Sequence, residues 1–347
     1  MKIINKPDLH NFTFNEFEQH LRTLNVKSYR VKQLWQGLYH QYWETFDDFS
    51  TIPKTLRLSL KENFIFDRLI PVNIITSQDG NTEKTLLELS DGKTIETVLM
   101  RYNTRNTICI STQIGCQMNC DFCATGQMGF HRNLSTAEIV KQVLFYAKQL
   151  THSNEHLTNI VIMGMGEPFN NYENTMKAID ILNDNEGFKF SERRITISTV
   201  GLIQGINRFG DEHRQVNLAI SLHAANDKLR NSLIPINRKH PLKELISACK
   251  DYLLKTRRRI TFEYALIDGV NDSVKDAQEL SHLLKGMLAH VNLMRLNTTP
   301  GYKYSGSSKE KIALFKEILD QNHIPCSIRM KRGTEIAAGC GQLASKS

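Results

Sequence analysis

The sequence predicts an α/β chain in three parts: a helical module, a β-hairpin extension and a partial (β/α)6, TIM-like barrel. Three observations predict it. Apolar residues recur at helical spacing up to about residue 64, the pattern changes to period two from Pro71, and from Thr107 six short apolar runs alternate with helical stretches.

Taken in order, Thr13 is a candidate helix cap, and Phe14, Phe17, Leu21 and Leu24 behind it form one apolar stripe. A second helix is expected from Arg30 to His40, where Val31, Leu34, Trp35 and Leu38 repeat that spacing, and Pro53 opens a third through Leu60. Asp79-Gly80 and Asp91-Gly92 are turn signals between short strands. The six runs Thr107 to Gln113, Asn159 to Gly164, Arg194 to Thr199, Val216 to Leu222, Arg259 to Leu266 and His290 to Leu296 are rich in β-branched residues. Strands of a parallel sheet covered on both faces have that composition. A closed eight-stranded barrel takes about 250 residues, and six good strands argue for a partial one. The expected divisions are 1–68, 69–104 and 105–347.

Composition narrows function before any motif does. With 40% hydrophobic and 23% charged residues, disordered, collagenous and purely coiled-coil classes are excluded. The apolar runs fall far short of the roughly 18 residues of a bilayer span, so no membrane is expected. Lys and Arg number 44 against 36 Asp and Glu, and the resulting +8 suits a polyanionic partner. Met1 to Asp8 has no apolar run of the signal-peptide kind, and seven cysteines, an odd number, do not suit a disulfide scaffold. A reducing cytoplasm is the expected compartment, and the cysteine spacing invites a metal or catalytic reading.

Directly after the first barrel strand stand Cys116, Cys120 and Cys123, a C-x3-C-x2-C on a tight loop. Thiolates at that density are metal ligands. Zinc would want a fourth ligand, for which His131 is the only candidate close in sequence. A [4Fe–4S] cluster on three cysteines would keep one iron open for a small chelating substrate. The second strand ends in Gly164-Met165-Gly166-Glu167-Pro168, where glycine lets backbone approach a ligand. Ser198, Ser221-Leu222-His223 and Asn297 end strands three, four and six, so all aim at the C-terminal mouth of the barrel. Each alone reads as a strand-end turn or a surface polar residue. Cys249, on an amphipathic helix, and Cys326, entering a strand, read as apolar fillers.

The C-x3-C-x2-C run, with Phe122 before its last cysteine, resembles the radical S-adenosylmethionine (SAM) signature, and Gly166-Glu167-Pro168 resembles the Gly-Glu-Pro motif of the same proteins. Cys109, seven residues ahead of Cys116, and Ala338-Gly339-Cys340-Gly341-Gln342-Leu343 narrow the resemblance. Over nearly its whole length the chain resembles the radical SAM RNA adenine methyltransferases of the RlmN and Cfr type. Gly339 stands where many members carry Ala, which leaves the Cys340 thiol in place. Pro168 leans toward the C2-methylating RlmN branch; the C8-methylating Cfr branch is the alternative.

That resemblance implies cofactors, a mechanism and partners. A [4Fe–4S] cluster sits on Cys116, Cys120 and Cys123, and its open iron binds the amine and carboxylate of SAM. Gly166, Glu167, Ser198, Ser221, Leu222, His223 and Asn297 surround SAM. Two SAM molecules serve each turnover: one methylates Cys340, and the other supplies a 5′-deoxyadenosyl radical that removes a hydrogen from the S-methyl group. The resulting carbon radical adds to the base, Glu96 removes the ring proton, and Cys109 attacks Cys340 to form a disulfide and release methylated RNA. Read without the resemblance, Glu96 is a solvated strand carboxylate. The implied partners are 23S rRNA, tRNA at the adenosine beside the anticodon, and an electron donor such as flavodoxin or ferredoxin. The implied state is a monomer. Lys27, Arg30, Lys32, Lys331 and Arg332 are candidate RNA backbone contacts. A non-catalytic iron–sulfur RNA-binding protein and a zinc-binding RNA module are readings of a different class, and neither needs SAM cleavage or Cys340.

Overall fold

The computed structural model describes residues 6–297, 303–329 and 332–344. Thr13 caps α1 (Phe14–Thr23) as expected: its hydroxyl accepts from the Glu16 N–H, and Glu16 reaches back to the Thr13 N–H at 2.8 Å. Two otherwise orphaned backbone donors are thereby satisfied. α2 (Ser28–Tyr39) starts at Ser28 rather than Arg30, and α3 (Lys54–Asn63) follows Pro53 and runs past Leu60.

Trp35 joins this helical module to the rest of the chain. Its ring is fully buried, packs at 5.5 Å from both Phe14 and Phe17, and donates its N–H to Asp184 Oδ1 at 2.9 Å. Asp8, buried, pairs with Lys141, and Lys177 pairs with Glu16 at 2.7 Å, so charged contacts frame the same junction. Trp35→Ala is expected to cost about 3–5 kcal/mol in chemical denaturation, the usual range for deleting a buried large aromatic. Trp35→Phe should recover most of the packing but not the bond to Asp184.

The expected hairpin is a three-stranded antiparallel meander of β1 (Ile70–Thr76), β2 (Thr82–Glu88) and β3 (Thr94–Tyr102). It runs on into the barrel, because the tight turn after Tyr102 lets β3 pair antiparallel with β4 (Arg105–Cys109). The expected first strand, Thr107 to Gln113, is broken after Cys109. The Gln142 side chain takes the Ser111 N–H at 2.8 Å, and the Met165 carbonyl takes the N–H groups of both Thr112 and Gln113. The chain then turns into β5 (Gln113–Gly115), which pairs with β6 (Phe130–Asn133) across the cysteine loop and the short α4 (Ala124–Gln127).

From there βα units alternate: α5 (Thr136–His152), β7 (Asn159–Ile162), α6 (Tyr172–Asn183), β8 (Ile195–Thr199), α7 (Ile203–Asp211), β9 (Asn217–Ser221), α8 (Asp227–Leu233), α9 (Leu242–Thr256), β10 (Ile260–Leu266), α10 (Val274–Leu284), β11 (Ala289–Arg295), α11 (Lys309–Gln321) and β12 (Cys326–Ile328). The ten-stranded sheet runs β1-β2-β3-β4-β7-β8-β9-β10-β11-β12, parallel from β4 onward, and its outermost strands β1 and β12 do not pair with each other. The barrel is therefore partial, as expected, with β12 a short seventh parallel strand. Ile160, Ile195, Ile197, Leu218, Ile220, Phe262, Val291 and Leu293 are almost wholly buried between sheet and helices. That rigid core holds the strand C-terminal ends in one place.

Candidate active site

Cys116, Cys120 and Cys123 lie on the loop that the β5–β6 pair closes. The Cys116 N–H donates to the Gly129 carbonyl at 3.0 Å, and the Asp121 N–H donates to the carbonyl of Leu233, the last residue of α8, at 2.9 Å. The loop is thus tied at its base and at its tip. All three thiols line one cavity of about 1040 Å³, counting its open mouth. Burial pushes Cys116 up to about 12, with Glu167 and Cys123 adding to it, and burial likewise raises Cys120 and Cys123. The three are free thiols around one cavity, and once deprotonated they offer soft donors of the kind iron accepts. Among the described residues no three His, Cys, Asp or Glu converge tightly enough to chelate a single ion. Three soft thiolate donors around one cavity fit the donor set of an iron–sulfur cluster.

Gly166, Glu167, Ser198, Ser221, His223 and Asn297 line the same cavity. Gly166 has φ +106°, and a Cβ there would lie 2.6 Å from Gln113 Cβ, so only glycine fits the turn. Gln113 in turn accepts the Glu167 N–H at 2.8 Å. The Glu167 carboxylate accepts from the Phe169 and Val200 N–H groups at 3.0 and 2.9 Å, and burial raises it to about 7. Ser198 and Ser221 meet Oγ to Oγ at 3.3 Å. His223 Nδ1 accepts the Ala265 N–H at 2.9 Å, which leaves the proton on Nε2, and burial beside Arg230 pushes the ring down to about 3. A neutral imidazole therefore faces the cavity. Leu222 does not line it; its side chain is fully buried in the core.

A second chamber opens beside the first and shares Cys340 with it, whereas Cys109 lines only the second. Burial, then the neighbouring Cys340, push Cys109 up to about 12, and Arg329 works against them. The segment carrying Cys340 is fastened along its length. Asn297 donates to the Cys340 carbonyl at 3.3 Å, the Ala124 N–H to Gly341 at 2.8 Å, and the Thr125 hydroxyl to Leu343 at 2.6 Å. At Gly339 a Cβ would lie 2.3 Å from the Asn297 amide nitrogen, so an alanine there would make the end of that side chain shift. Glu96 lines neither chamber. Its carboxylate pairs with Lys84 at 2.8 Å and accepts the Ala344 N–H at 2.8 Å, and burial raises it while Lys84 opposes.

Several groups at the mouth escaped sequence reasoning. Arg230 is wholly buried and donates to Leu222, Val200 and Ser221 carbonyls and to Asn237, stitching the ends of β8 and β9 together. Nothing in the polar segment Asn226-Asp227-Lys228-Leu229-Arg230 marks it out in the sequence. Glu263, Arg295 and Arg329 also line the first cavity. Of the candidate RNA contacts, Lys32 pairs with Glu186 at 3.0 Å and Arg30 donates to Gln33 at 2.6 Å, while Lys27 is exposed. Arg332 lines the second chamber, and Lys331 lies outside the described residues.

Residues 110–281 match the radical SAM superfamily, and residues 7–66 match the ribosomal RNA large subunit methyltransferase N-terminal domain. The chain is 43% identical to the ribosomal RNA large subunit methyltransferase N of Nitrosopumilus maritimus, over 97% of this chain and 98% of that one. It is 48% identical to the dual-specificity RNA methyltransferase RlmN 1 of Myxococcus xanthus, over 91% and 88%. A crystal structure of a radical SAM methyltransferase from Sphaerobacter thermophilus superposes with a TM-score of 0.95 at 48% identity, covering 98% of this chain and all of that one. Among the described residues no helix is long and apolar enough to cross a membrane.

Proposed function

Because the chain belongs to the radical SAM superfamily and, within it, to the RlmN methyltransferases, we propose that it methylates C2 of an adenosine in 23S rRNA and of the adenosine beside the anticodon in tRNA. The observation that carries the proposal is the position of Cys340, on the boundary between the thiol-lined cavity and the chamber holding Cys109. A carrier that must take a methyl group on one side and deliver it to a base on the other needs that position.

An adenine ring carbon of the amidine type is a poor nucleophile and does not displace a sulfonium methyl unaided. The cofactors the family implies, a [4Fe–4S] cluster with SAM, supply the radical chemistry that removes this obstacle. The residues that would hold them are Cys116, Cys120 and Cys123 for iron, with Glu167, Ser198, Ser221 and the neutral His223 toward SAM. With SAM bound, Cys340 would be the nucleophile, its thiol giving up a proton as its sulfur takes the methyl group. Cys109 would act last: its thiol loses a proton as its sulfur bonds to that of Cys340, and the carbon released from Cys340 takes the electron pair of the broken bond and a proton to become the methyl group. The resting geometry makes Glu96 a fastener of the Cys340 segment, and its part as proton acceptor rests on the family resemblance alone. The base must leave its stack to enter the chamber. We assign the helical module, 1–68, to RNA binding, 69–104 to the strand extension and 105–347 to the catalytic core.

Mass spectrometry of nucleosides from rRNA and tRNA of cells with and without the gene is the direct test. The expected result is 2-methyladenosine lost from both RNAs in its absence. Loss of 8-methyladenosine instead would move the enzyme to the alternative regioselectivity, and no change in either would end the proposal.

A further inference from the structure

The second chamber carries a charge pattern that the methyl-transfer chemistry leaves unused. Arg295, Arg329 and Arg332 line it, and no Asp or Glu does. Arg329 follows β12 and is pinned by its backbone, whose N–H donates to Leu293 at 2.7 Å. Among the described residues its guanidinium has neither a hydrogen-bond acceptor nor an ion pair, although five N–H donors sit half-buried in a cavity wall. Arg332 has its Nε buried without a partner, and its guanidinium lies 4.3 Å from the Tyr102 ring, with Arg105 at 4.2 Å from the same ring. Arg295 uses only Nε, toward the Gly306 carbonyl at 3.1 Å. The charges that act on Arg329 are first Cys340 and then Glu263, and Glu263, which faces the first cavity, takes both its bonds from Asn292 at 3.0 and 3.2 Å.

Unengaged guanidinium donors converging on a chamber without carboxylates form an anion site, and planar forked donors suit a phosphate's paired oxygens. We propose that this chamber is a phosphate subsite, in which Arg329, with Arg295 and Arg332 beside it, grips a phosphodiester flanking the adenosine that enters toward Cys340. This rests on the RNA-methylation reading. Arg295 and Arg329 line both cavities and Arg332 only the second, so the SAM carboxylate is the rival anion for the first two; the base must meet Cys340 from the side where Cys109 waits, and Arg332 marks that side for phosphate.

The test uses the anaerobically reconstituted full-length protein and a tRNA anticodon stem-loop, either unmodified or with one methylphosphonate, which removes a single phosphate charge, at each linkage around the target adenosine. In wild type, one such linkage should lower the slope of log affinity against log salt by about one. Arg329→Met should lower it equally on unmodified RNA and lose nothing further on the methylphosphonate RNA, and Arg329→Lys should restore the slope. Because Arg329 also borders the first cavity, SAM binding without RNA is measured for all three proteins as well. Additive losses, no sensitive linkage, or a SAM affinity weakened tenfold in Arg329→Met with the RNA slope intact would each overturn the subsite. Methylation of the unmodified stem-loop by wild type is scored in parallel, so a failed subsite with normal methylation is told apart from a failure of the RNA-methyltransferase reading itself.

Discussion

Alanine at Cys116, Cys120 or Cys123 is expected to abolish iron and sulfide retention in anaerobically reconstituted protein, while Cys249→Ala retains both. The three thiols line one cavity on a loop fastened to β6 and α8. All three are free thiols, and burial raises each of them. Removing one leaves an iron with no protein ligand in a pocket whose remaining lining supplies no spare thiolate at that corner. Cys340 borders the same cavity, but its segment is bound to Asn297, Ala124 and Thr125 and is not free to substitute. Cys249 is wholly buried on α9, away from the cavity wall, so its loss is a packing matter. The measurement is iron and sulfide per chain together with the brown absorbance, with circular dichroism to establish that each variant is folded. Zinc bound by wild type in place of iron and sulfide, or iron retained by all three variants, would sink the cluster assignment.

How much the sequence made legible depends on how local each signal is. The cap at Thr13, the barrel strands and the C-x3-C-x2-C loop are all set within a few residues. Each can therefore be read from spacing alone, and each forms close to where expected, the first strand being cut short the most, at Cys109. Leu222 shows where a motif overreaches: side chains alternate along an extended chain, so Ser221 and His223 face the cavity while Leu222 between them turns into the core. That alternation was available in the sequence. The arginines of the second chamber were not. Arg295 ends β11 while Arg329 and Arg332 follow β12, and only the parallel pairing of those two strands brings them together. Glu96 was equally hidden, because its partners Lys84 and Ala344 come from a neighbouring strand and from the far C-terminal segment. The strand extension was underread for a similar reason: a short turn after Tyr102 decides whether β3 pairs with the barrel, and turn residues alone do not say so.

The two remaining cysteines are expected to separate completely under substitution, a result that neither a packing nor a ligand account produces. Cys340→Ala should transfer no methyl group and form no covalent RNA complex, since nothing else on the boundary of the two chambers can carry the methyl. Cys109→Ala should still accept the methyl group and attack RNA, then stall as a covalent adduct, because the thiol that closes the resolving disulfide is gone. The order of events is consistent with the resting geometry. Burial pushes Cys109 up to about 12, so at neutral pH it rests as a protonated thiol. It also lines only the second chamber, so it meets Cys340 from that side. The observable is a protein band shifted by RNA on a denaturing gel and restored by nuclease, abundant in Cys109→Ala and absent from Cys340→Ala and from the double variant. Turnover equal to wild type in both single variants would make these structural cysteines and leave the boundary position of Cys340 without a chemical role.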